Sequence, residues 1–214
     1  MLKRLNKVVL CILMLLPQAG IAAGVPSNGI LDFVILRNGS EIGHHVIRFE
    51  KLADSVIVRI EAQVDYRIAF IPFYTFRHVS REVWRGGQLI DMTAETNDNG
   101  CDFSINVKAE GDAFRLSVNG VETPIDAGVI PASLWNIALV ESGKILDPAD
   151  GELMQVAIRN SGEEVINVRG RDVRARHFVM TGDFQRDLWY DNSGVLVHVR
   201  FTGEDGSEIR YELR

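Results

Sequence analysis

Residues Val56 to Phe70 alternate between apolar and polar side chains along nearly their whole length. Val56, Val58, Ile60, Ala62, Val64, Tyr66, Ile68 and Phe70 occupy every second position, with Arg59, Glu61, Gln63, Asp65 and Arg67 between them. A period of two places the first set on one face of an extended strand and the second on the other, a pattern no helix accommodates. A strand of this length, apolar on one side and charged on the other, needs a sheet with one buried face and one solvated face. The alternation returns in Val195, Val197, Val199 and Phe201, opposite Leu196, His198 and Arg200, and again in Ile209, Tyr211 and Leu213, opposite Glu208, Arg210 and Glu212.

Turn signals separate these runs at Asn38-Gly39, Gly86-Gly87, Asn99-Gly100, Asn119-Gly120, Ser161-Gly162, Asn192-Ser193-Gly194 and Asp205-Gly206. Asn-Gly pairs accept the positive φ angles of tight hairpins, so the chain reads as a meander of antiparallel strands. One stretch breaks the pattern. Pro131 to Val140 has Pro at a first-turn position, an apolar side in Leu134, Ile137, Ala138 and Val140, and Gly143 beyond its end, which predicts a short helix. Its flanks, Thr123–Ile130 and Lys144–Gly151, read as loops. The expected fold is mainly β: a single antiparallel meander sheet, curved or half-barrel, with one short helix at about 131–140 packed against it.

The N-terminus carries an export signal. Lys3, Arg4 and Lys7 precede the uncharged run Val8–Pro17, and small residues Ala19, Gly20, Ala22 and Ala23 follow. A basic start, a short apolar core and a small-residue exit define a signal peptide over 1–23, cleaved after Ala22 or Ala23, ahead of a single all-β domain over 24–214. The apolar run falls well short of the roughly 20 residues that span a bilayer, so no transmembrane segment is expected after cleavage. The expected location is the periplasm, with secretion ranked second. Loss of the three basic residues leaves 20 against 29 acidic ones and moves the net charge from −6 to −9. That balance argues against a nucleic-acid partner. Cleavage also removes Cys11, which leaves Cys101 without an intramolecular disulfide partner; between Gly100 and Asp102 it reads as a partly buried structural thiol.

The residues richest in chemistry lie on one strand. Phe76, His78, Ser80, Glu82 and Trp84 alternate with Arg77, Val79, Arg81 and Val83, so the first five share a face. They would form a polar ladder inside a concave sheet, either as a ligand site or as a cross-strand hydrogen-bond network. Residues two apart on a strand sit about 6.5–7 Å apart, so any acid–base chemistry between His78 and Glu82 needs a partner from a neighbouring strand. No nucleophile elbow, His-Glu-x-x-His, Cys-x-x-Cys, phosphate loop or dinucleotide fingerprint occurs, and no catalytic residue, metal or cofactor is expected. His177 and His198 fall on separate strands. Arg169, Arg171, Arg174 and Arg176 read as a solvated strand face. Ile68–Phe76 is apolar on both faces, which predicts burial beneath Leu134 and Trp135, or else an apolar ligand in a concavity.

The set His78-x-Ser80-x-Glu82-x-Trp84, Asn99-Gly100, Trp135-Asn136 and Trp189-Tyr190-Asp191 resembles an uncharacterised family of exported, all-β envelope proteins of Gram-negative bacteria, over nearly the whole of residues 24–214. The resemblance implies an envelope protein of unassigned role and transfers no catalytic residues. In outline the layout is also similar to the half-barrels of periplasmic lipoprotein carriers. The expected function is that of a non-enzymatic binding or carrier-like protein for a small apolar ligand or envelope component. Phe76, His78, Ser80, Glu82, Trp84 and Trp135 are its candidate ligand-binding residues. An envelope hydrolase using His78 and Glu82 is the first alternative, and a small outer-membrane β-barrel the second.

Overall fold

The computed structural model describes residues 24–214; the signal peptide expected over 1–23 lies outside the described residues. Fifteen strands follow one another: β1 (Ile30–Arg37), β2 (Ser40–Lys51), β3 (Ser55–Ile68), β4 (Ile71–Arg85), β5 (Gln88–Asp98), β6 (Cys101–Glu110), β7 (Ala113–Val118), β8 (Val121–Asp126), β9 (Ile130–Pro131), β10 (Lys144–Leu146), β11 (Leu153–Val168), β12 (Arg171–Gly182), β13 (Arg186–Asp191), β14 (Leu196–Thr202) and β15 (Glu208–Leu213). They form one sheet in the order β8-β7-β6-β5-β4-β3-β2-β1-β15-β14-β13-β12-β11-β10-β9. Every ladder between sequence neighbours from β1 to β8 and from β10 to β15 is antiparallel, while β9 and β10 pair in parallel. The central seam joins the first and last of these strands: β1 pairs with β15, Phe33 opposite Leu213 and Arg37 opposite Ile209.

The sheet is open, since β8 and β9 do not pair with each other, yet it curls round a single core. Leu31 and Phe33 of β1, Ile105 and Val107 of β6, Met180 of β12 and Val199 of β14 belong to one buried cluster. The curl brings the β10–β11 connection back to β7, where Val118 fills the space a side chain on Gly151 would need. This closeness explains how a strand pattern with one wet face can bury so much: the concave side encloses the core and the convex side carries the charges.

The 131–140 segment is not the expected helix. Ile130–Pro131 forms β9 against Ile145–Leu146, Leu134 takes a left-handed φ of 65°, and only Ile137–Glu141 coils, as a 3-10 turn capped by the Asn136 side chain. A left-handed residue cannot continue a right-handed helix. The flanks expected as loops contain most of β8 and all of β10.

Other expectations are corrected by bulges and exposure. Ser161-Gly162 is no hairpin turn: it lies inside β11, where the register with β12 shifts between Asn160 and Gly162, and the hairpin turns instead at Arg169-Gly170, both at positive φ. In β14, Val197 does not share a face with Val199 and Phe201. Trp189 pairs with His198 and Tyr190 with Leu196, so Val197 is the extra residue of a β-bulge; it turns to an outer cluster with Ala175 and Trp189, while Leu196 joins the main core. A one-residue insertion inverts the facing of everything before it. Cys101 is exposed. Leu134 and Trp135 do not cover Ile68–Phe76: Phe70 is 94% exposed and Ile68, Ile71 and Phe73 are exposed as well.

Candidate functional site

Along β4, Phe76, His78, Ser80, Glu82 and Trp84 all face the concave side, as their spacing predicts. Neighbouring strands leave room for them. His78 sits between Ala62 and Thr96, Ser80 between Ile60 and Ala94, and Glu82 between Val58 and Met92. His78, Ser80, Glu82 and Trp84 are buried, with Glu82 at 0%, and Phe76 is half-buried and stacked on the His78 ring, 6.2 Å between centroids.

Trp135 reaches the same place from the inner segment. Its Nε1 donates to Glu82 Oε2 at 3.0 Å, and Trp84 Nε1 donates to the same oxygen at 2.6 Å. The other oxygen, Oε1, and the Ser133 hydroxyl are both buried without a hydrogen bond of normal geometry among the described residues. Burial pushes the Glu82 carboxyl above its ordinary value, against the pull of the indole N–H groups of Trp135 and Trp84 and of the Ser133 hydroxyl; a neutral acid is the cheaper form in so dry a place. The segment is held elsewhere too. Tyr190 Oη donates to the Leu134 carbonyl at 2.7 Å, and a Cβ on Gly24 would fall 2.4 Å from the Trp135 carbonyl oxygen, so glycine is required where the chain enters the fold.

Further along the sheet, Ala62 separates two histidines, His45 on β2 and His78 on β4. Burial lowers His78 to about 4. Burial, then the nearby His78 and His44, lower His45 to about 3. Both rings are therefore neutral at ordinary pH. His78 Nδ1 shares a hydrogen bond with Thr96 Oγ1 at 2.9 Å; the His45 ring packs edge-on to Tyr211 and its Nε2 has no partner among the described residues. His78 and Glu82 lie about 13 Å apart along the strand and share no partner among the described residues, so they do not form an acid–base couple.

The structure thus brings all six candidate residues to one interior region, Trp135 included, but packs that region with side chains. The open space lies beside it. A cleft of about 530 Å³ runs between the 3-10 turn and β11–β12, lined by Asn136, Ile137, Val140, Ile158, Arg176 and Phe178 among others. Its polar side chains are Asn136, Asn160 and Arg176, which can donate, and the Glu141 carboxylate, which accepts. Asn136 Oδ1 accepts from Ala138 N at 3.0 Å and Asn160 Oδ1 accepts from Gly162 N at 2.9 Å, so among the described residues both amide NH2 groups are available to donate. The Arg176 guanidinium lies over the Phe178 ring at 5.8 Å. Sequence reasoning missed this site because Asn160 and Arg176 look like ordinary solvated strand residues. The available signal was the pair Ile158 and Phe178, apolar at positions that flank them.

A second polar cluster, on the convex side, holds His177 and His198. His177 stacks on Trp189 at 4.2 Å and 6°, while His198 meets the same indole edge-on at 4.9 Å. His177 Nδ1 lies 2.9 Å from Glu164 and Nε2 lies 2.9 Å from Asp187; Trp189 Nε1 donates to the other Glu164 oxygen at 3.0 Å. Among the described residues no group of three His, Cys, Asp or Glu side chains is arranged to hold a metal ion.

A family model described as a domain of unknown function (DUF6134) matches residues 33–214, from the central strand β1 to the last residue and across both the Glu82 cluster and the cleft. The chain belongs to this family. No curated protein matches the chain significantly. The DUF6134 match spans both halves of the sheet and its central seam, so the family domain and the curled sheet are one unit.

Proposed function

We propose that this DUF6134 protein is an exported, non-enzymatic binding protein of the periplasm that takes an amphiphile from the cell envelope into the cleft beside the 3-10 turn. The observation that carries the reading is the meeting in one cleft of the Arg176 guanidinium and two side-chain amides with an apolar wall, the Glu141 carboxylate standing on the same lining. The Arg176 guanidinium and the amides of Asn136 and Asn160 would receive a carboxylate or phosphate head, while Ile137, Val140, Ile158 and Phe178 would cover an acyl or similar body. Small-molecule sites commonly have this make-up, largely apolar with a few placed polar groups. Charge-assisted bonds from arginine to an oxyanion supply orientation.

In this reading the residues on β4 act as support. Glu82 fixes Trp135 through its indole, Trp135 fixes Asn136, and Asn136 caps the 3-10 turn that forms one wall of the cleft. Phe76, His78 and Ser80 continue the same interior row, away from the cleft. The test is titration with dodecanoate and dodecyl phosphate, followed by native mass spectrometry and isothermal calorimetry. Binding that weakens roughly tenfold in Arg176→Ala, as loss of one charged hydrogen bond implies, supports the site. Absence of binding, or binding indifferent to Arg176→Ala and to Ile158→Asp, rejects it.

A further inference from the structure

The hairpin of β3 and β4 outruns its neighbours. The two strands pair out to Ile68 opposite Ile71, but β2 leaves β3 at Val64 and β5 leaves β4 at Phe76. Residues Asp65–Thr75 therefore project as a two-stranded ribbon, about 13 Å beyond the sheet at some 3.3 Å per residue. Its base is rigid. Tyr66 and Tyr74 pack against Ile35, Val64 and Ile209, Tyr66 meets Phe73 edge-on at 5.8 Å, and Arg37 lies over the Tyr66 ring at 4.3 Å.

The tip is unlike the rest of the surface. Of the eight large hydrophobic residues exposed among those described, four fall within Ile68–Phe73: Ile68, Phe70, Ile71 and Phe73. The turn itself is strained. Asn38-Gly39, Asn99-Gly100 and Asn119-Gly120 place their second residue, a glycine, at positive φ, whereas Ala69-Phe70 does so with φ of 47° and 71°. A phenylalanine in the left-handed region is a conformational outlier, and such strain concentrates at positions where function requires the side chain. The fold accepts it in order to hold a phenyl ring at the outermost point.

We infer that this ribbon docks the protein on a lipid membrane, its tip entering the boundary between headgroups and acyl chains. Two observations favour lipid over a protein partner. The exposed side chains of Ile68, Phe70, Ile71 and Phe73 offer on the order of 500 Å², short of the ~800 Å² that each partner gives to a standard protein interface. Below them stand groups that favour the headgroup level: Tyr66 and Tyr74, with the Arg67–Asp65 ion pair and Arg77, which leaves residues 65–77 at net +1 in a chain of net −6. Burial of the tip by roughly 5–10 Å matches the depth of interfacial anchors, and the open ribbon edges, which hydrocarbon would not tolerate, stay within reach of water and headgroups. The inference is independent of the cleft: it concerns the Ile71 end of β4, whereas the cleft borders the Gly87 turn beyond Arg85.

The experiment is flotation of the purified protein with vesicles of phosphatidylcholine containing a minority of phosphatidylglycerol, comparing the natural chain with Phe70→Gly. Glycine relieves the backbone strain, so the variant should unfold at the same or a higher temperature while its vesicle-bound fraction falls roughly tenfold, the loss expected for one phenyl ring withheld from lipid. Phe70→Trp should retain binding and show a blue-shifted emission on addition of vesicles. Equal flotation of Phe70→Gly, no flotation of the natural chain, or an emission unchanged by vesicles overturns the inference. Self-association that Phe70→Gly abolishes, without flotation, overturns it in favour of a protein partner. Arg176→Ala should float like the natural chain, so failure of the ribbon and failure of the cleft are read separately.

Discussion

Trp84 and Trp135 meet edge to face, 5.4 Å between ring centroids and 86° between planes, and both direct their indole N–H to one oxygen of Glu82. One residue is on β4 and the other is on the segment that crosses the concave side. A single carboxyl thus links the sheet to the element it encloses. Glu82→Ala leaves two buried indole donors unpaired and should cost about 2–5 kcal/mol. Glu82→Gln keeps an acceptor oxygen and should cost about 1 kcal/mol. Urea denaturation followed by tryptophan fluorescence separates the two.

The buried titrating groups give the pH profile opposing slopes. His78 and His45, at about 4 and about 3, stay neutral in the folded state while the unfolded chain takes up protons below about 6.5. Stability therefore falls as pH falls through this window, by about 3 kcal/mol for His78 alone. Glu82 is raised, so its contribution is full below about 4.5 and is lost as pH rises through its folded value. Denaturation midpoints between pH 4 and 8 should show an acid-labile protein. His45→Phe should flatten the curve and Glu82→Gln should steepen its rise.

Gly43 on β2 is needed for space. A Cβ there would lie 2.0 Å from the Gln63 carbonyl oxygen, and backbone at that distance cannot yield cheaply. Gly43→Ala should cost about 3 kcal/mol or more, at the rare end for one substitution. Gly100→Ala is a contrasting case: φ is 96° with no atom within 4 Å, so only backbone strain of about 1–2 kcal/mol is expected. Paired melting curves test the contrast.

On the convex side, His177 ties the β11–β12 hairpin to β13. Hydrogen bonds from Trp189 and His177 hold the Glu164 carboxyl below its usual range. For Asp187, burial raises the value, but bonds from His177 and Arg200 prevail and lower it. His177→Phe preserves the stack on Trp189 and removes both bonds. A loss of about 1–2 kcal/mol is expected, allowing for the exposure of Glu164. Faster amide exchange at Gly162–Ala175 than elsewhere would locate the effect.

The sheet was legible where its causes are local. Alternation in Val56–Val64 fixed both strand and facing, and Asn-Gly pairs fixed three hairpins, because side-chain period and turn chemistry act over a few residues. Facing was misread at Val197, where a bulge determined by the β13 partner reverses it. The 131–140 helix failed for a similar reason: Leu134 is held left-handed by a segment tied to Tyr190 and Glu82, and tertiary bonds override a local propensity. The β4 ladder was legible as a face, but that its carboxyl joins two tryptophans 51 residues apart in sequence depends on the curl of the whole sheet. The cleft, formed by the 3-10 turn against β11–β12, left no local trace.

The pairing of β1 with β15 sets the order in which the molecule can be finished. Ladders on either side of the seam close between sequence neighbours and can form as soon as each hairpin is available. The seam itself joins Phe33 to Leu213, so β1 keeps an unpaired edge until β15 arrives. Closing so long a loop adds little to the equilibrium cost but delays the final step. Until then two incomplete half-sheets present bare edges, which is where aggregation starts.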